Sequence, residues 1–458
     1  MRFITMLAGL ALIAIPAQAQ KEAPPAPGTP KDFRLPPGKT LTLPNGMKVT
    51  LVRYGLVPKT AVSLQVRTGA IDEAADEIQL SPLTADMLLE GTTTRSGSDI
   101  SRQAAEMGGG LGAGSADDAV TVAGEVLSEN AERFVALVAD VLLNPRFAAA
   151  DVERLRANRA RDNAIAQSQP GQITRAKFRA MIFGEHPYGR VFPTDSMLAG
   201  YTPEKVRGFY ARNYGARRAH LYVSGVFDPA KVERAVRAAF GRWASGKQPT
   251  VNPPSPVNHR QLELVDRPDA VQSSFRVGLP VADPTSPDWI RLNVTDAILG
   301  GAFGSRITSN IREDKGYTYS PFSFVGSWPK TGLWVEVADV TTNVTGPALK
   351  EIFYEVDRLR NEAPPDQELA GIKNNMVGLF TVQNSSRGGV INQLQFVDQY
   401  GLGDSYLSNY VKNVLAVTPD QVRQAATRYL DPSRMTITVV GDKKVVETQL
   451  EPYQSQVP

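Results

Sequence analysis

The sequence repeats itself at a separation of 216 positions, from residue 202 to residue 418. Residues 202–207 read Thr-Pro-Glu-Lys-Val-Arg, and residues 418–423 read Thr-Pro-Asp-Gln-Val-Arg. At the same separation Gly225, which ends one apolar run, returns as Gly441, which ends another. A threonine followed by proline is a common helix start, but agreement at one separation over this distance indicates an internal duplication. A chain of 458 residues also has the length for two cores.

In each half, the spacing of apolar residues predicts strands followed by amphipathic helices. Apolar residues alternate at residues 62–66 and again at 275–279, which is typical of half-buried strands. Between Ser128, a candidate helix cap, and Pro145, apolar residues follow helical spacing. We therefore expect the α+β class, with two homologous domains that each pack helices on an antiparallel-rich sheet.

Composition sets the expected domain boundaries. Two stretches rich in proline are typical of a semi-rigid tether and of an interdomain linker. The expected order is a signal peptide at 1–19, a proline-rich tether at 20–39, a first domain at 40–246, a linker at 247–259, a second domain at 260–450 and a tail at 451–458.

The first residues predict export. Arg2 precedes a short apolar stretch at 3–15, and Ala17-Gln18-Ala19 forms a small-residue cleavage site. The alternative is a membrane anchor, but the apolar stretch is shorter than the roughly 20 residues that a span needs. Since the chain has no cysteine, lipid attachment through an N-terminal cysteine and disulfides are both excluded. We expect a periplasmic protein without a stable membrane span.

Several common kinds of site lack support in the sequence. The net charge is +3 without a basic stripe, which disfavours nucleic-acid binding. The three histidines, His186, His220 and His259, do not have the spacing of a zinc helix and are interpreted as surface or packed residues. The glycine run at 108–115 follows a predicted helix and precedes a strand, the reverse of a dinucleotide-binding turn. It predicts either an edge strand that accepts an extended peptide or a turn and strand without a ligand.

A second glycine cluster opens the most distinctive segment, residues 300–320. Ser305 is a candidate cap for a helix at 306–314 that carries Arg312. Gly316 then breaks the helix, and Tyr319 follows in a β-like run. The segment places a guanidinium near a phenol, and the pair either clamps a substrate or only packs the turn.

These residues resemble the insulinase-type, or pitrilysin-type, zinc peptidases, especially the processing-peptidase branch. The likeness covers nearly the whole chain after the signal. It is carried by the Asn45-Gly46 hairpin, by Met-Leu-Leu-Glu-Gly-Thr at 87–92, by Leu-Asn-Pro-Arg-Phe at 143–147, by His-Pro-Tyr-Gly at 186–189 and by the segment at 300–320. The resemblance implies paired, similar domains in a clamshell arrangement around a peptide.

The chain departs from the family pattern at the zinc helix. Active members carry His-x-x-Glu-His immediately before the Met-Leu-x-x-Gly-Thr segment. Here Pro82 and Asp86 stand at the two histidine positions, and Ala85 stands at the position of the general base. The distal glutamate ligand would fall at 161–163, where no glutamate occurs. The resemblance therefore implies that this chain has no metal site and no catalytic residue of its own.

The family's second-domain pair is retained as Arg312 and Tyr319, with Tyr317 as the fallback if the register differs. In the family these positions contact the substrate backbone, and a guanidinium and a phenol can hold peptide carbonyls. We expect a noncatalytic, substrate-binding subunit of a two-chain periplasmic zinc metallopeptidase. The partner would be a related chain with an intact His-x-x-Glu-His motif and the zinc. The alternative is a catalytically dead peptide-binding or scaffold protein, possibly a homodimer.

Overall fold

Two β-sheets organise the part of the chain that the structure describes. In this computed structural model the described residues are 28, 33–36, 38–249, 251–403 and 405–454. The predicted signal peptide at 1–19, more than half of the tether at 20–39 and the last residues of the tail lie outside them. The described residues from 33 to 454 belong to one compact unit that contains both sheets.

The first sheet contains the predicted hairpin at Asn45-Gly46, in which β1 and β2 pair antiparallel. Gly46 has φ +93°, a conformation that favours glycine in such a turn. The strand order is β1-β2-β6-β3-β5-β4. The strands are β1 Gly38–Thr42, β2 Lys48–Arg53, β3 Lys59–Val66, β4 Gly110–Ser115, β5 Val120–Leu127 and β6 Ala219–Gly225.

The second sheet repeats this order without the first strand. Its strands are β7 Gln261–Asp266, β8 Gln272–Val281, β9 Phe322–Trp328, β10 Thr331–Thr341 and β11 Thr436–Gly441, in the order β7-β11-β8-β10-β9. Each sheet contains one parallel pair, β2 with β6 in the first and β7 with β11 in the second. The other pairs are antiparallel. The predicted α+β architecture of two homologous domains is confirmed.

Helices surround both sheets. Those that follow the first strands are α1 Leu80–Met87, α2 Gly97–Glu106, α3 Ala131–Leu143, α4 Ala149–Ser168, α5 Pro170–Phe183, α6 Asp195–Ala199, α7 Pro203–Asn213 and α8 Pro229–Phe240. The second half contributes α9 Trp289–Asp296, α10 Thr345–Asn361, α11 Asp366–Gln383, α12 Arg387–Tyr400, α13 Ser405–Leu415, α14 Pro419–Tyr429 and α15 Lys443–Leu450. Two π-helical segments, Ala297–Gly301 and Thr308–Asp314, lie between α9 and β9.

The helix starts that revealed the repeat are formed as predicted. The hydroxyl of Thr202 accepts the backbone N–H of Lys205 at the start of α7, and Thr418 accepts that of Gln421 at the start of α14. The predicted cap at Ser128 is wrong. A short 3₁₀ turn, Ser128–Asn130, precedes α3, so the Ser128 hydroxyl lies too far from the helix start to cap it.

The two halves exchange one helix each. Helix α5 of the first half packs on β8 and β11 of the second sheet, and α12 of the second half packs on β3 and β6 of the first. Phe178 and Ile182 of α5 are buried against Leu333 and Val335 of β10. Burial of each such side chain stabilises the fold by about 1.5–3 kcal/mol. Because the exchange is reciprocal, it joins the halves firmly.

Among the described residues, none of the helices combines the length and the apolar character that a bilayer crossing requires.

Candidate functional site

The glycine run of the first half forms an exposed sheet edge. Strand β4 is the last strand of its sheet and pairs with β5 alone. A Cβ atom added at Gly110 or Gly114 would meet nothing within 4 Å. The predicted edge strand is therefore confirmed, and its outer backbone groups and small residues leave room for an added strand. Binding of a peptide there stays a prediction.

A cavity of about 600 Å³ lies between this edge and the second sheet. The first half lines it with residues 114–119, and the second half lines it with Phe324 and Trp328 of β9. The indole Nε1 of Trp328 donates to Oδ2 of Asp117 at 2.7 Å, which fixes the two walls relative to each other.

The degenerate zinc positions lie on α1. The Ala85 side chain is fully buried, and Pro82 lines a cavity of about 390 Å³. Asp86 accepts a hydrogen bond from Nη2 of Arg159 at 2.5 Å. Proline offers no ligand atom, and the only carboxylate of the three positions is already neutralised by a guanidinium. The residues present at these positions do not fit a zinc ion.

Metal ligands could also come from side chains beyond the three positions on α1. In the described ranges, no group of three or more histidine, cysteine, aspartate or glutamate side chains is placed to hold a metal ion. At the predicted location of the distal ligand, Asn163 is buried and donates to the backbone carbonyl of Pro193 at 3.3 Å.

Arginines dominate the cavity beside α1. Four of them line it, and the acidic side chains that line it are those of Glu73, Asp117 and Asp162. Glu73 accepts the backbone N–H groups of Gln79 and Ser81 at 3.0 and 2.8 Å, and burial raises its pKa to about 8. Sequence reasoning missed this group because its members come from separate segments with no common spacing. The arginines are Arg159, Arg175, Arg179 and Arg190.

The predicted second-half pair is in contact. The guanidinium carbon of Arg312 lies 5.1 Å from the centroid of the Tyr319 ring and 4.7 Å from that of Phe303, which the sequence analysis missed. Tyr319 is 80% exposed and Phe303 76% exposed. Tyr317 instead packs against the second core. Arg312 is therefore held between two aromatic rings that remain open to solvent.

The helix that carries Arg312 is anchored from its other end. The guanidinium of the buried Arg306 donates from Nε and Nη2 to the two carboxylate oxygens of Glu368 at 2.8 and 2.7 Å. The hydroxyl of Ser305 donates to that of Thr308 at 3.0 Å and makes no backbone cap, so that expectation is wrong. Gly316 has φ +66° and ends the helix as predicted.

The three histidines have different hydrogen-bond partners: Nε2 of His186 lies 3.0 Å from the carbonyl oxygen of Asn252, and Nε2 of His259 lies 3.4 Å from Nε2 of Gln261. His220 is buried, with Nε2 2.8 Å from the Thr50 hydroxyl and Nδ1 3.2 Å from Oδ2 of Asp398. Asp398 of α12 also accepts from Arg67 at 2.7 Å. His220 therefore acts as a packed, hydrogen-bonded residue that helps to hold α12 on the first sheet.

Comparison with known proteins agrees with this architecture. Residues 49–192 match the family described as "Insulinase (Peptidase family M16)", and residues 200–376 match "Peptidase M16 inactive domain". Together the two matches cover more than half of the chain. The two like sheets and the altered zinc helix define a peptidase-like chain with a noncatalytic fold. The chain belongs to the insulinase-type peptidase family M16.

Relatives and solved structures extend the likeness over most of the chain. An uncharacterized zinc protease of Mycobacterium leprae is 28% identical over 427 residues, which cover 89% of this chain and 93% of the relative. One of Streptomyces coelicolor is 25% identical over 411 residues, covering 88% and 89%. The crystal structure of a peptidase M16 inactive domain from Pseudomonas fluorescens superimposes with a TM-score of 0.83 at 21% identity and covers 88% of this chain and 98% of that one. At that identity the structural likeness shows the fold alone.

Proposed function

We propose that this chain is the noncatalytic, substrate-binding subunit of a two-chain zinc metallopeptidase in the periplasm. The observation that carries the proposal is the ion pair between Asp86 and Arg159. It places a positive charge against the one carboxylate at the zinc positions, whereas the relatives are named zinc proteases. A chain that kept a weakened zinc site would not hold a guanidinium there.

The substrate-binding half of the proposal rests on Arg312 and Tyr319. Tyr319 is exposed, and Arg312 is half-buried beside it, with its Nε 3.1 Å from a carboxylate oxygen of Glu313. A guanidinium with N–H groups to spare and an exposed phenol beside it can both donate hydrogen bonds to peptide carbonyls. Strand β4 offers a second, backbone-mediated contact for the same kind of ligand.

The zinc and the general base would come from a related chain with an intact His-x-x-Glu-His helix. That helix would supply a metal-activated water, and this chain would bind and orient the peptide. Peptides or small unfolded proteins suit a site built from an open strand edge, since an extended backbone is the ligand that such an edge accepts.

A second candidate function is a peptide-binding scaffold without an active partner. It is favoured by the stacking of Arg312 between Phe303 and Tyr319, because this contact gives the arginine a packing role without a substrate. The two functions differ in whether an active complex exists and whether it needs Arg312.

The test is to co-express the chain with M16-like chains from neighbouring reading frames and to purify the complex. Zinc content and peptide cleavage are then measured for the chain alone, for the complex and for complexes with Arg312→Ala or Arg423→Ala. Arg423 is a matched control because it lies on α14 and its guanidinium forms a solvent-exposed pair with Asp420. Activity that appears only in the complex and falls with Arg312→Ala supports the subunit role. A complex that is inactive, or unaffected by Arg312→Ala, supports the scaffold.

A further inference from the structure

The cavity beside α1 brings guanidinium groups together from three segments. Arg159 comes from α4, Arg175 and Arg179 come from α5, and Arg190 comes from the loop that follows.

Two of the four arginines are already bound to acidic groups. Arg159 donates to Asp86, and Arg179 donates to Oδ2 of Asp117 at 2.9 Å and to the carbonyl of Tyr188 at 2.5 Å. These contacts fix the two guanidiniums as walls of the cavity.

The other two arginines have no carboxylate partner among the residues that the structure describes. Arg190 donates to the backbone carbonyls of Glu73 and Glu185 at 3.4 and 2.6 Å. Arg175 has one long contact, 3.5 Å, to the side-chain carbonyl of Gln172. The pKa of Arg175 is lowered by partial burial and then by the nearby charge of Arg179, while its side chain keeps contact with solvent. An anion in the cavity would give the guanidinium groups of both arginines a partner of opposite charge.

The acidic residues that line the cavity do not pair with Arg175 or Arg190. Both oxygens of Glu73 accept backbone N–H groups, from Gln79 and Ser81, and burial raises its pKa to about 8. Asp117 is occupied by Arg179 and Trp328. Asp162, on α4, is largely exposed to solvent. Arg175 and Arg190 thus have no carboxylate partner among the described residues that line the cavity.

The peptide-binding edge leads into this cavity. Ser115, the last residue of β4, and Ala116 line the cavity together with the arginines. We propose that the cavity binds a carboxylate of the peptide that β4 accepts, either its C-terminal carboxylate or an acidic side chain. This inference rests on the proposed function in that its ligand is a peptide. The fork of an arginine matches the two oxygens of a carboxylate, which gives such contacts their strength and direction.

The test uses labelled peptides of about ten residues, a length that covers β4. One peptide has uncharged side chains and a free C-terminal acid, a second is its C-terminal amide, and a third is an amide with glutamate as its last residue. Affinities are measured by fluorescence anisotropy for the full chain, for Arg175→Gln with Arg190→Gln, and for the control Arg161→Gln. Arg161 lies exposed on α4 and contacts Asn158.

We expect the free acid or the glutamate peptide to bind about tenfold or more tightly than the uncharged amide, the size of one charge-assisted contact. The preferred peptide identifies the source of the carboxylate. The double variant should lose this preference, and Arg161→Gln should keep it. Equal affinity of the unaltered chain for all three peptides would overturn the carboxylate site and leave peptide binding intact. Failure of all three to bind would overturn the proposed function, and the carboxylate site with it. The comparison within the unaltered chain holds even if the double variant does not fold.

Discussion

Asp86 and Arg159 lie 73 positions apart in the sequence and share a hydrogen bond of 2.5 Å in the fold. The aspartate stands where a zinc peptidase of this family has its second histidine ligand, and the arginine comes from the helix that would carry the distal glutamate. A metal ion and a guanidinium compete for the same carboxylate. In this chain the carboxylate of Asp86 therefore binds the guanidinium of Arg159 in place of a metal ion.

Removal of the Tyr319 hydroxyl should impair substrate handling without loss of stability. Tyr319→Phe keeps the ring that stacks on Arg312 and removes the hydrogen-bond donor, so peptide cleavage by the complex should fall about tenfold or more. Since Tyr319 is 80% exposed, the melting temperature should change by less than about 1 °C.

Tyr354→Phe is the matched control for this substitution. Its side chain is 55% exposed on α10, and it should leave cleavage and melting temperature unchanged. Equal activity of Tyr319→Phe and the unaltered complex would remove the phenol from the proposed site.

Strand addition at β4 predicts a specific dependence on the peptide backbone. An extended peptide bonds to a sheet edge through alternate N–H groups, so N-methylation of one alternating set should weaken binding about tenfold or more, and methylation of the other set should have little effect. Calorimetric titration of the two methylated peptides measures this difference. Equal loss with both sets would indicate contacts from side chains instead of strand addition.

Loss of the Asp398 carboxylate should loosen the exchanged helix α12. Asp398 accepts from Arg67 at 2.7 Å and lies 3.2 Å from Nζ of Lys48 and from Nδ1 of His220. Asp398→Ala removes this shared carboxylate, leaves Arg67 only the backbone carbonyl of residue 398, and should lower the free energy of unfolding by about 2 kcal/mol. Asp420→Ala, in an exposed pair with Arg423, should change it by less than about 0.5 kcal/mol.

The same carboxylate predicts a pH dependence. Burial alone would raise the pKa of Asp398, but the hydrogen bond from His220 and the charge of Arg67 lower it well below its ordinary value. A lowered pKa in the folded state means that the stabilisation is present above about pH 4 and is lost as the pH falls further. The difference between the unaltered chain and Asp398→Ala should therefore shrink in acid, as measured by urea denaturation. A constant difference between about pH 7 and pH 3 would contradict this.

Two buried acids in the second core predict the opposite dependence. Burial raises the pKa of Glu336 well above its ordinary value and that of Asp296 to about 6. Neither oxygen of Glu336 has a hydrogen-bond partner among the described residues. A raised pKa in the folded state means that stability is fully present below about pH 4 and is lost as the pH rises through the folded value.

Glu336→Gln removes one of these ionisations. The variant should lose less stability than the unaltered chain between about pH 5 and pH 8, by on the order of 1–3 kcal/mol. Thermal unfolding across that range measures the effect. A pH profile that Glu336→Gln leaves unchanged would mean that folding does not raise the pKa of Glu336.

The duplicated architecture could be predicted from the sequence because its signals are local. Threonine caps, proline in the first helical turn and glycine at strand ends recur in both halves, and each acts through its immediate neighbours. The exchange of α5 and α12 could not be predicted, since an apolar helix face does not specify which of two similar sheets it covers.

In the candidate site, too, local contacts could be predicted from the sequence and contacts that depend on helix packing could not. Arg312 and Tyr319 are seven positions apart, and the short turn between them brings them together. The contact of Asp86 with Arg159, and the position of Glu73 beside the same cavity, depend on how α1, α4 and α5 pack. Phe303 was missed because an exposed aromatic residue in a glycine-rich turn has no periodic pattern that indicates a partner.

The most direct test of the central claim is the zinc content and peptidase activity of the purified chain, alone and in complex with an M16 chain that carries His-x-x-Glu-His. We expect the isolated chain to contain far less than one zinc per chain and to cleave no peptide. The complex should contain zinc, cleave peptides and lose activity when Arg312→Ala is introduced in this chain. One zinc per isolated chain, together with peptide hydrolysis by that chain, would contradict the account.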